Sequence, residues 1–247
     1  MHSWKNYKAK VKKYFKFSNK EIGSLVFTIL VCAFILSFTE WGVTEFNARL
    51  GFLNFFNTAL IVLVVLLVQE SVHRLFALLV GYQVEYKHWT VGLVVCLVLV
   101  FFSNGSLKFL IPGGILISHL AVHRIGKFRY GPNYNTMGWI AMTGPLSNLF
   151  LAILFKVLSG VAPNEAIFLK AMNIALLFAI FNMLPIPPLN GHQLFFGSRY
   201  IYLFVIGAVV AAAAGLYYMA VVGTILAALI FGAVCIVLYF VFVDKMF

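Results

Sequence analysis

From Tyr200 to Val243 the chain carries no Asp, Glu, Lys or Arg. That stretch is about twice the roughly 20 apolar residues that cross a bilayer, so it must cross, fold back near Tyr217–Gly223 and cross again. Similar runs recur upstream. Together they predict six spans, at about 23–42, 53–82, 137–158, 166–186, 200–217 and 220–243. With 63% hydrophobic and 10% charged residues, the surface holds too little charge to keep a globular domain in solution. The expected fold class is an all-α polytopic membrane protein of about six transmembrane helices. It forms a single membrane-embedded domain over 23–247, preceded by a basic tail over 1–22.

That tail contains Lys5, Lys8, Lys10, Lys12, Lys13, Lys16 and Lys20 against one acid, Glu21. It is not read as a signal peptide, because the apolar run that follows is long and shows no small-residue cleavage site. Contact with anionic lipid accounts for the lysines without invoking nucleic acid. With the amino terminus inside, Lys87, Lys108, Arg124, Lys127, Arg129, Arg199 and Lys245 also fall inside, while Arg49, Lys156 and Lys170 fall outside or near the outer ends. This asymmetry predicts that both termini are cytoplasmic, in a prokaryotic cell membrane. Cys32, Cys96 and Cys235 sit in apolar runs with no C-x-x-C spacing and read as small apolar residues.

Residues 89–118 fit the span pattern less well. "WTVGLVVCLVLVFF" (89–102) is short for a crossing. It is followed by "SNGS" and then by "LKFLIPGGILIS". Val, Leu, Ile and Phe around a Gly/Pro break predict two β-like arms of a re-entrant hairpin between the second and third spans. A short seventh span is the alternative.

Ionisable groups inside a span are costly and usually mark function. "VQESVHRL" (68–75) places Glu70, His73 and Arg74 in the second span. Gln69 and His73 are i and i+4 and share a face. The purely structural alternative pairs Glu70 with Arg74 at i, i+4 and leaves His73 as an interhelical hydrogen-bonder. "FNMLPIPPLNGHQLF" (181–195) ends the fourth span, because Pro185, Pro187 and Pro188 cannot continue a helix. Asn182, Asn190 and His192 lie at that break. "IAMTGPLSNLFLAIL" (140–154) adds Gly144 and Asn148, suited to close helix approach and interhelical hydrogen bonding. Gly207, Ala211 and Gly215 form a small-residue stripe, suited to packing within the bundle or between subunits. His119 and His123 form another i, i+4 pair, read as polar residues of a basic segment.

"QESVH", "PGG" at 112–114, "GPLSN" and "NMLPIPPLNG", in that order, make the chain resemble the site-2 proteases, a family of intramembrane zinc metalloproteases. The resemblance covers roughly residues 52–195. It implies two histidines of an H-E-x-x-H motif and an aspartate of an L-D-G motif as zinc ligands, with the glutamate as general base. By position the first ligand is Gln69, the base Glu70, the second ligand His73 and the third Asn190. His192 is a possible substitute ligand, and Asn148 and Asn182 are implied to face substrate. Two neutral amides in place of imidazole and carboxylate are poor zinc donors, so zinc, the family's cofactor, is expected to be weakly held or absent.

The expected function is therefore that of a site-2-protease-like protein with an impaired metal site, an inactive variant or pseudoprotease that binds a transmembrane helix or extended peptide in the lipid bilayer. The alternatives are an active intramembrane zinc endopeptidase with a non-standard ligand set, and a transporter or lipid-binding protein. No internal repeat of the broken helix supports the transporter. A nucleic-acid partner is not expected. If the scaffold is retained, Gln69, Glu70, His73 and Asn190 must converge in one polar pocket.

Overall fold

A computed structural model of the protein describes residues 4–42, 45–120 and 133–244. Six of its helices are long and apolar enough to cross a membrane, and the protein is a polytopic, mainly helical membrane protein. The spanning helices are α2 (Asn19–Ser37), α3 (Ala48–Val80), α5 (Tyr134–Ser159), α6 (Glu165–Asn182), α8 (Arg199–Tyr218) and α9 (Val221–Tyr239, continued as a π-helix to Asp244). A basic helix α1 (Trp4–Tyr14) precedes them. The short helices α4 (Thr90–Phe102) and α7 (Asn190–Gly197) and the strands β1 (Tyr82–His88) and β2 (Gly113–His119) complete the fold.

Local chemistry sets the helix ends. Ser18 and Glu21 form a reciprocal capping box at the start of α2, satisfying backbone donors that the helix itself cannot. α3 has 33 residues, roughly 50 Å, and stops at Gly81, whose φ of 97° only glycine adopts freely. α8 ends at Tyr218 and α9 starts at Val221, the fold-back expected from the uncharged run. α9 lies against α8 through glycines. A Cβ on Gly207 would come within 2.7 Å of Cys235 Sγ, and one on Gly215 within 3.0 Å of Thr224. The small-residue stripe is thus used inside the chain.

The hairpin region departs from expectation in detail. Residues 90–102 are helical, not a β-arm. The arm pairing with β2 is Tyr82–His88, in antiparallel register with Tyr82 opposite His119 and His88 opposite Gly113. Helix α4 is inserted between the two strands, and the backbone closes behind it with Trp89 N donating to Pro112 O. This excursion enters and leaves at one end of the bundle but reaches toward the other. Phe101 packs edge-on against Phe38, at the far end of α2.

Lys108 accordingly corrects the charge assignment. Its ammonium donates to Leu36 O (2.9 Å) and Thr39 Oγ1 (3.3 Å), at the end of the bundle opposite Asn19, and burial lowers its pKa. Lys170 is at the same end, bonded to Glu40. Arg124, Lys127, Arg129, Lys245 and His123 lie outside the described residues.

Candidate functional site

The polar cluster of α3 is wholly buried. Gln69, Glu70 and His73 are 3%, 0% and 0% exposed. Apolar sequence on both sides extends the helix through them, so their side chains must find partners inside the protein.

Gln69 is the centre of an amide network. Its Oε1 accepts from Asn148 Nδ2 of α5 (2.6 Å) and from Asn182 Nδ2 at the end of α6 (2.8 Å). Its Nε2 donates to Glu70 Oε1 at 3.1 Å. One side chain therefore ties three spanning helices together. Asn148 and Asn182, implied to face substrate, are both buried, and both donate to Gln69. Glu70 Oε1 also lies 3.5 Å from His73 Nδ1, while Oε2 has no protein partner.

The proline break delivers Asn190 to the same place. α6 ends at Asn182, and α7 restarts at Asn190 with Leu189 in extended conformation. Gly191 folds α7 back onto the end of α6, where a Cβ would collide with the Met183 carbonyl. A Cβ on Gly114 of β2 would collide with Pro188 O, so the hairpin glycine lets β2 pack on the break. Asn190 then meets His73 across Gly144 of α5. A Cβ there would lie 2.5 Å from both Asn190 Nδ2 and His73 Nε2, so these two nitrogens are at most about twice that distance apart. Neither His73 nitrogen has a hydrogen-bond partner, nor does Asn190 Oδ1.

The structure thus brings together Gln69, Glu70, His73 and Asn190, with Asn148 and Asn182 behind Gln69. It does not bring in His192. Residues two apart on a helix point to nearly opposite sides. His192 stacks on Phe196 with ring centroids 4.7 Å apart and lines a cavity of about 500 Å³ with Tyr134, Met137, Gln193 and Phe196. His119 packs on Tyr82 in the hairpin, 4.8 Å between centroids.

Arg74 also departs from its structural alternative. It pairs with Glu21 of α2, not with Glu70. It donates to Lys16 O (3.1 Å), and its guanidinium sits 3.9 Å over the Phe17 ring. Glu21, counted with the basic tail from sequence, is only 3% exposed and also accepts from Tyr86 N at 2.8 Å. This pair was hidden because its partners are separated by 53 positions, whereas Glu70 is a local i−4 candidate. Tyr86 extends the buttress. Its hydroxyl donates to Pro112 O (3.1 Å) and is 2.9 Å from Thr28 Oγ1. Burial pushes its pKa well above the ordinary phenol value.

The donor set does not suit zinc. Among the described residues no group of three or more His, Cys, Asp or Glu side chains is placed to hold a metal. His73 is the lone imidazole of the cluster. The Gln69 carbonyl oxygen is already taken by two amides, and Asn190 turns a nitrogen toward His73. Zinc takes His, Cys or carboxylate donors, and this cluster supplies one imidazole and one carboxylate.

Over 200 residues the chain is 29% identical to a Methanocaldococcus jannaschii protein named as a putative zinc metalloprotease, a match covering 77% of this chain and 91% of the relative. No family model and no solved structure matches the chain.

Proposed function

We propose that the protein is a site-2-protease-like membrane protein in which an amide network replaces the metal centre. It recognises a membrane-embedded or extended peptide segment without hydrolysing it. The likeness to a zinc metalloprotease and the order of the four motifs support the lineage. The observation that carries the loss of metal is the Gln69 carbonyl, held by Asn148 and Asn182 at the position of the first ligand. Glu70 is retained, but a general base needs an activated water to act on, and in this lineage that activation requires a metal with an open coordination position. The proposal places the protein in a prokaryotic cell membrane with both termini cytoplasmic.

The test is metal content. The purified native chain is expected to carry no stoichiometric zinc by mass spectrometry. The Gln69→His/Asn190→Asp double variant, which supplies two imidazoles and a carboxylate besides Glu70, is expected to take up zinc. A tightly held equivalent of zinc in the native chain would overturn the reading, as would cleavage of a single-span substrate that a chelator abolishes.

A further inference from the structure

None of the residues of α1 is buried, yet the helix is placed with care. Its sequence, WKNYKAKVKKY, has five lysines and no acid. Trp4, Tyr7, Val11 and Tyr14 follow i, i+3, i+7, i+10 spacing and share one face. Tyr7, Val11 and Tyr14 are half-buried, while Lys5, Lys8, Lys12 and Lys13 are exposed. Trp4 sits at the edge, 66% exposed.

The apolar face is moored to the helix that carries the polar cluster. The Tyr7 hydroxyl donates to Leu75 O at 3.2 Å. Just beyond α1, Arg74 fixes the chain through Lys16 O and Phe17. Leu75 lies five residues before the end of α3 at Val80, roughly 8 Å. α1 therefore lies along the rim of the bundle, where the spanning helices leave the apolar layer.

Alone, this helix would be marginal. Isolated helices below about 12–15 residues seldom hold in water, and Lys8 and Lys12 repel at i, i+4. Its lysine face meets no acidic side chain of the described residues in any salt bridge. A cationic face, an aromatic edge and a position at the rim fit the headgroup layer of an anionic leaflet.

We propose that α1 is an anionic-lipid anchor. Its exposed lysines engage negatively charged headgroups at the rim, and this contact keeps α1 folded against the Leu75 end of α3. Nucleic acid is disfavoured, because α1 lies at the rim of the apolar layer, where lipid headgroups are the neighbours its lysines meet.

The test uses the full chain in nanodiscs of phosphatidylcholine alone or mixed with phosphatidylglycerol, read by hydrogen exchange of the α1 amides. Each lysine near an anionic surface contributes about fivefold, so phosphatidylglycerol is expected to slow exchange in α1 by up to several-hundred-fold. High salt should reverse the effect. Replacing Lys5, Lys8, Lys12 and Lys13 by Gln should abolish the lipid difference without altering exchange in α5 and α6, and replacing the same four by Arg should preserve it. Equal exchange in both lipids would overturn the proposal, as would a lipid effect that survives the Gln variant. Stronger protection by an added DNA duplex than by phosphatidylglycerol would also overturn it, assigning the face to nucleic acid.

Discussion

Replacing Gln69 by Leu removes the hub of the amide network at nearly constant volume, so the cavity contribution is small. Three buried groups lose a partner: Asn148 Nδ2, Asn182 Nδ2 and Glu70 Oε1, now held at 2.6, 2.8 and 3.1 Å. Interhelical hydrogen bonds in membrane proteins average about 0.6 kcal/mol and reach about 1.7 kcal/mol. A buried polar group left without any partner costs more, about 1–3 kcal/mol. Asn148 and Asn182 are almost wholly enclosed, so neither amide can turn to solvent, and Glu70 retains only His73. The expected destabilisation is about 2–6 kcal/mol. Unfolding free energy in mixed micelles, titrated with denaturing detergent and followed by circular dichroism, measures it. The same residues supply an internal control. Once Gln69 is Leu, changing Asn182 to Leu should recover about 1–2 kcal/mol, because an orphaned amide is removed. If Gln69→Leu shifted stability by less than about 0.5 kcal/mol, or if the two substitutions simply added, Gln69 would not be the hub of the network.

Gly144→Ala should destabilise by about 1–3 kcal/mol through overpacking, since the new methyl meets His73 and Asn190 at 2.5 Å. Thermal unfolding reads the effect, and a Tm unchanged from the native chain would contradict the convergence of those two residues. Glu21→Leu leaves Arg74 buried and uncompensated, at about 3–5 kcal/mol, and Glu21→Leu/Arg74→Met should regain part of that loss, since Tyr86 N and Ser18 N still lack their acceptor. A double variant as unstable as the single one would show that the pair matters for more than mutual neutralisation. Lys170→Gln breaks a partly exposed pair with Glu40 and should cost no more than about 1 kcal/mol, fading in salt. A larger, salt-insensitive loss would contradict that assignment.

The spanning helices were legible because hydropathy over some twenty residues is a local property. The break at residues 183–189 was legible for a related reason, since prolines stop a helix whatever surrounds them. Ambiguity entered where an apolar run is short. Residues 90–102 read equally as strand or helix by composition, and their length, typical of a helix, was the better guide. The true arm was available in "YQVEYKH", where Tyr82, Val84 and Tyr86 alternate with Gln83, Glu85 and Lys87. The structure buries the first set and leaves the second more exposed. The residues of the cluster could be named from motif positions, but the direction of their amides could not. That Gln69 faces Asn148 and Asn182 depends on how α5 and α6 are set against α3. The Glu21–Arg74 pair likewise depends on α2 lying beside α3, and no spacing rule joins positions so far apart.

The hairpin excursion also implies an order of assembly. Lys108 ends near the Leu36 carbonyl, at the far end of a 19-residue helix, so its amine sits a helix length away from Asn19, where that helix starts. Leu36 lies in the last turn of the first spanning helix and Thr39 just beyond its end, so both acceptors are made early. Phe181, against which Phe109 packs with ring centroids 4.5 Å apart, emerges from the ribosome long after residue 109. The contact between Phe109 and Phe181 can therefore form only after residue 181 has been made. Before that, the pairing of β1 with β2 is complete within residues 82–119 and can hold the two ends of the excursion together.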